Sequence, residues 1–265
     1  TPNESHLMAP LRDAASFLTR LPLHRNDGRV PNMSAAVPWF GAVGLILGLV
    51  QGGVYVGLHE VSTPTVAAAI SAALLGQITG AFHHDGLADM ADAFGGGWTP
   101  EQRLEILKDS RLGTYGVTAL IFVIIIEIAA LSALAGWLAV AAAVAAHAVS
   151  RAVASFMMII AKPARDSGLG VDYLTGLSRP AVIGASLLVT AGAVALFGVV
   201  ALPLIFGAYG AGVLIVRLAI NKIGGISGDV LGAIQQIAKI ATLVIIVIAD
   251  EVTTDLGLLG GLALS

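Results

Sequence analysis

Asp85, Asp89 and Asp92 are the residues of this chain most able to do chemistry. They fall at i, i+4 and i+7 in the run Phe82-His83-His84-Asp85-Gly86-Leu87-Ala88-Asp89-Met90-Ala91-Asp92, ahead of Gly95-Gly96-Gly97. On a helix that spacing puts three carboxylates on one face. They repel one another, so a bound cation is the expected compensator. All-oxygen ligands favour Mg²⁺, Mn²⁺ or Ca²⁺ over zinc. Magnesium binds through a few carboxylates and completes its shell with water and phosphate, which suits phosphoryl transfer. The competing reading is a solvated acidic face at a helix end.

Further along, Thr99-Pro100-Glu101-Gln102 reads as a helix start, with Thr99 as N-cap, Pro100 at the first helical position and Gln102 closing a capping box. That helix delivers Lys108-Asp109-Ser110-Arg111-Leu112-Gly113-Thr114-Tyr115-Gly116 to the start of an apolar run. Arg111 is suited to diphosphate oxygens by its bidentate fork and Lys108 as a point charge, with the Ser110 hydroxyl beside them. Gly113 and Gly116 allow the backbone to approach a ligand closely. The plainer reading makes Lys108 and Arg111 interface anchors of a membrane helix. A second glycine-rich stretch, Gly224 to Gly232, holds Asp229, either as a metal ligand, as a group orienting an acceptor hydroxyl, or simply as an N-cap.

The elements that position these groups are membrane helices. Of the 265 residues, 57% are hydrophobic and only 12% charged, half the share of an ordinary soluble domain. The same figures exclude disorder, and a net charge of −3 argues against nucleic-acid binding. With no Cys there is neither a disulfide framework nor a thiolate metal site. Residues 1–34 carry charges throughout and lack the apolar core of a cleaved signal peptide, so they read as mature protein. Apolar runs predict about seven spans, at 35–58, 64–82, 115–134, 137–161, 181–200, 202–220 and 230–249. The division at Leu202-Pro203 is made because one helix from 181 to 220 is far too long for a bilayer, with six spans as the alternative count. If the first span starts inside, every cation except Arg151 and Lys239 falls in the segments on that side or at a span end, including Arg25, Arg29 and Arg165. The opposite side holds short turns and the acidic tail of Asp250, Glu251 and Asp255. The positive-inside rule then turns the long polar loops, and the chemistry, to the cytoplasm.

Glu127, His147, Arg151 and Lys239 lie within spans, where ionisable groups are paired or functional. His147 and Arg151 share a face one turn apart, aimed either at substrate phosphates or into pairing across helices, with Glu127 facing Arg151 or Lys239. Gln77, Thr79 and His83 are expected near the same end.

Residues Phe82 to Tyr115 closely resemble the signature of the cobalamin synthase (adenosylcobinamide-GDP ribazoletransferase) family, F-H-x-D-G-L-A-D-x-x-D followed by L-E-I-x-K-D-S-R-L-G-T-Y-G. Gly224 to Gly232 resembles its G-G-x-[TS]-G-D-x-L-G, and Arg20-Leu21-Pro22 its T-R-[LI]-P. The resemblance implies a multi-pass bacterial inner-membrane enzyme with a single membrane domain over residues 1–265 and a cytoplasmic catalytic loop at about 83–114. It implies Mg²⁺ dependence and attack by a hydroxyl of alpha-ribazole, or its 5'-phosphate, on adenosylcobinamide-GDP with release of GMP. Asp85, Asp89 and Asp92 would bind the metal, one serving as general base. Lys108 and Arg111 would hold the diphosphate, and Asp109 and Asp229 would add acidic contacts. Implied partners are the corrinoid nucleotide, alpha-ribazole, the lipid bilayer, and a second copy or other enzymes of vitamin B12 assembly. His84, Ala93 and Ile226 depart from the pattern, as do Gln236 and Lys239, which stand where the family carries two glutamates.

Two rivals stand beside this reading. A CDP-alcohol phosphotransferase also clusters aspartates on membrane helices, but its D-G-x2-A-R pattern fails here, where Asp85-Gly86 is followed by Leu87-Ala88-Asp89. A cation transporter would place its carboxylates near the membrane midplane.

Overall fold

A computed structural model describes residues 8–23, 30–164 and 176–255. Arg25, Arg29 and Arg165, which contribute to the expected charge asymmetry, lie outside the described residues, as does the side chain of Asp255. The fold is all-helical among the described residues. Helices α1 (Met8–Leu18) and α2 (Met33–Ala36) precede α3 (Phe40–His59), α4 (Pro64–Thr79), α5 (Phe82–Gly96) and α6 (Pro100–Ile106). Then come α7 (Thr114–Ser132), α8 (Gly136–Ile160), α9 (Arg179–Phe197), α10 (Ala201–Ile223) and α11 (Gly228–Asp255). Side-chain caps start several of them: Thr63 accepts from Val66 N–H, Ser178 from Ala181 N–H, and Thr99 with Gln102 forms the expected reciprocal box.

Five helical stretches are long and apolar enough to cross a membrane, and the pair α4 and α5 forms a sixth if it is one bent span. The expectation of seven counts the stretch Arg179–Ile223 as two. A straight helix of its 45 residues would be about 68 Å long, twice the hydrocarbon core. The chain instead breaks at Gly198 (φ 53°, ψ −127°), and Tyr209 comes back beside the side chains of Ser186 and Thr190. The break falls four residues before the expected Leu202-Pro203. Pro203 sits in the first turn of α10, where its missing N–H has no helical partner to lose.

α8 is the central element, buried along most of its length. α3 runs antiparallel against it with glycines every fourth residue. A Cβ at Gly44 would strike the His147 carbonyl, one at Gly48 the Val144 backbone, and one at Gly52 would stand 2.7 Å from Val140 Cα. Such spacing lets two membrane helices meet backbone to backbone.

The expected span at 64–82 is not straight. α4 ends in left-handed residues Gly80 (φ 61°) and Ala81 (φ 54°), and α5 departs at 89°. The stretch expected as a polar catalytic loop at 83–114 is thus largely helical, with α5 packed along α11.

Candidate active site at the crossing of two helices

α5 and α11 cross at Gly86 and Gly232. A Cβ on Gly86 would stand 2.9 Å from the Asp229 carbonyl oxygen and 3.2 Å from Gly232 Cα, so neither backbone can retreat to admit one. This contact carries the first turn of α11 to α5 and brings Asp229 within electrostatic reach of Asp89. The charges acting on the Asp89 carboxylate are those of Asp85, Asp229 and Asp92, all of the same sign. Asp85 is exposed, and Asp89 and Asp229 are half-buried, so the group opens to one side. The N-cap role considered for Asp229 belongs to Ser227, whose hydroxyl accepts from Val230 N–H at 3.3 Å and donates to Asp229 Oδ2.

Asp92 departs from its two neighbours. It is buried, and its oxygens accept from the backbone N–H groups of Gly113 (2.7 Å) and Gly116 (2.9 Å). A Cβ on either glycine would collide with that carboxylate. The two glycines therefore make room for Asp92, not for a ligand, and the Gly113 amide is already occupied. Asp92 fastens the start of α7 to α5, a charge-assisted contact at a helix N-terminus.

Lys108, Ser110 and Arg111 lie exposed beyond this anchor. Arg111 forks onto Asp109, with Nε 3.0 and 2.9 Å from the two oxygens, and this pairing holds the Asp109 carboxyl below its ordinary range. Arg111 and Asp109, expected to act separately on a diphosphate and a metal, here satisfy each other at the surface. Lys222 Nζ donates to the Phe94 carbonyl at 3.3 Å, and Arg103 donates to the Lys222 carbonyl at 3.2 Å, tying the end of α10 to α5 and α6.

His147 and Arg151 do not reach the acidic face. Both are at most 3% exposed and belong to a buried chain. Lys239 pairs with Glu127 at 2.6 Å, and Gln51 donates to Glu127 at 2.9 Å. The Gln51 carbonyl takes the N–H of His147 Nε2 at 2.6 Å, and His147 Nδ1 accepts from Arg151 at 3.0 Å. Of the two pairings open to Glu127, the one with Lys239 is realised. The chain lines a cavity of about 10 Å³, room for a water and too small for a phosphate group. His83 is buried against this cavity, and His84 reaches Gln236 Nε2 at 3.5 Å.

Among the described residues, no three acidic or imidazole side chains stand close enough to cage an ion. Asp85 and Asp89 present carboxylate oxygens beside like charge, with one side open. That fits a hard divalent ion of the magnesium kind, which takes one or two carboxylates and fills its shell with water and substrate oxygens. It does not fit a closed structural site.

An all-helical membrane protein with an open, oxygen-lined acidic site at a helix crossing is the class these features define. The chain belongs to the cobalamin-5-phosphate synthase family, whose model matches residues 10–247. Curated relatives named adenosylcobinamide-GDP ribazoletransferase include one from Bradyrhizobium diazoefficiens, 39% identical over 91% of this chain and 94% of its own length. One from Mesorhizobium japonicum is 38% identical over 88% and 90%, and one from a Shewanella species 36% identical over 90% and 94%. No solved structure matches the chain.

Proposed function

We propose that this chain joins adenosylcobinamide-GDP to alpha-ribazole, or its 5'-phosphate, at the crossing of α5 and α11, releasing GMP. The observation that carries the reading is the convergence of like charge on Asp89, from Asp85 on its own helix and Asp229 on the facing one, in a chain of this family. Asp85 and Asp89 are the residues that would hold a magnesium ion. When bound, it supplies positive charge to the diphosphate oxygens. Lys108 adds an exposed cation at the same end of the molecule. A carboxylate of the group, with Asp229 best placed on the facing helix, orients the ribazole hydroxyl and takes its proton. The hydroxyl oxygen bonds to the cobinamide-linked phosphorus while the phosphoanhydride bond breaks, and GMP departs with the bonding electrons. Asp92 holds the α7 entrance in place throughout. The site faces the cytoplasm of a bacterial inner membrane in this reading.

Proteoliposomes of the full chain test it. GMP release that requires adenosylcobinamide-GDP, alpha-ribazole and Mg²⁺ together is the expected result. Release undiminished by EDTA would remove the metal, and absence of release under every combination would remove the reaction.

A further inference from the structure

The Arg20-Leu21-Pro22 segment has no part in the chemistry above, yet the fold fixes its place closely. Arg20 N–H donates to the Ile78 carbonyl at 2.7 Å, docking the segment on the last turn of α4. The side chain then lies across Gly80, where a Cβ would meet Arg20 Nε and stand 2.8 Å from Cγ and 3.0 Å from Cδ. The stem therefore covers the α4 to α5 bend. Beside it Ala81 holds a positive φ of 54°, the one non-glycine residue to do so among the described residues. Backbone strain of that kind persists where the surroundings impose it, and it gathers at ligand sites.

Direction follows from α1. The Phe17 ring meets Phe82 edge-on, with centroids 5.2 Å apart. Phe82 precedes Asp85 by three residues and Asp89 by seven, so it shares their face of α5. α1 and Arg20 thus approach α5 at the N-terminal end of its acidic face. Arg20 is exposed and has no carboxylate partner among the described residues. Lys108 and Arg111 stand beyond the other end, and the rise from Asp85 to Asp92 is about 10 Å. Arg111 is engaged by Asp109, whereas the Arg20 fork meets no carboxylate among the described residues.

We infer that Arg20 is a phosphate-binding residue of this site, holding an oxygen of the diphosphate at the bend while Lys108 serves the far end. This rests on the transferase reading above. A guanidinium suits the task because its planar fork matches two phosphate oxygens.

The test uses the full chain in nanodiscs. Arg20→Met keeps a stem over Gly80 and removes the charge, and Arg20→Lys keeps the charge without the fork. The expected result is a KM for adenosylcobinamide-GDP raised about tenfold or more in R20M, with R20K between R20M and the unsubstituted protein. The thermal midpoint should be unmoved. A KM within twofold in R20M would overturn the assignment, as would a raised KM accompanied by an equal loss of thermal stability that R20K does not restore. If R20M does not fold, GDP titrated into R20K decides: weaker binding at an unchanged midpoint supports the fork, and unchanged affinity overturns it. D85N assayed alongside separates the two levels, since full turnover in D85N would displace the site itself whatever Arg20 does.

Discussion

Asp89 and Asp92 are three residues apart on one helix and do opposite work. Asp89 faces other carboxylates, whereas both oxygens of Asp92 are consumed by backbone amides. Substitution should separate them. Asp89→Asn should lower turnover by a hundredfold or more, on the order of the loss of one electrostatic contact to a reacting phosphate, and leave the melting midpoint unchanged. Asp92→Ala strands one buried and one part-buried N–H group and should cost about 2 to 4 kcal/mol of stability, read as a lowered midpoint in nanodiscs before any effect on KM. The sequence places all three aspartates on one face, and that much is legible from spacing. What spacing does not report is that Gly113 and Gly116, 21 and 24 residues downstream, return to use one of them. A glycine signals close approach without naming what approaches.

At the scale of elements, the site depends on the meeting of α5 and α11. Gly86→Val puts bulk against Asp229 and Gly232 backbone, so it should push Asp229 off the acidic face. The expected outcome is at least a tenfold fall in turnover with helical content retained by circular dichroism. Helix starts were readable: Thr99 with Gln102 forms the predicted box, and Pro64 and Pro100 begin their helices. The right-angle bend at Gly80 and Ala81 was not readable, because alanine there gives no turn signal. Nor is the position of the break before α10, because Leu202-Pro203 carries as strong a breaking signal in the sequence as Gly198 does. Proline is tolerated in a first turn, whereas the positive φ that ends α9 is one glycine adopts freely.

Across the whole molecule, the buried chain from Lys239 through Glu127, Gln51 and His147 to Arg151 ties α11, α7, α3 and α8 together behind the site. The four ionisable residues stand out in the sequence by their apolar surroundings. Gln51 does not, since a neutral amide in a membrane helix carries no such contrast. Lys239→Met leaves Glu127 charged and unpaired in the interior and should cost about 3 to 5 kcal/mol. Lys239→Met combined with Glu127→Leu should recover most of the loss in the same unfolding assay. Sidedness is directly measurable because the chain has no native Cys. Trp98→Cys should react with an impermeant maleimide from the cytoplasmic side and Glu60→Cys from the other; both residues are exposed. The most direct test of the central claim is GMP release from adenosylcobinamide-GDP by Asn variants of Asp85, Asp89 and Asp229 in proteoliposomes at saturating Mg²⁺. All three should fall at least a hundredfold below the unsubstituted chain while remaining folded. Near-normal release from D85N and D89N would contradict the assignment of the crossing as the place where the phosphoryl group is transferred.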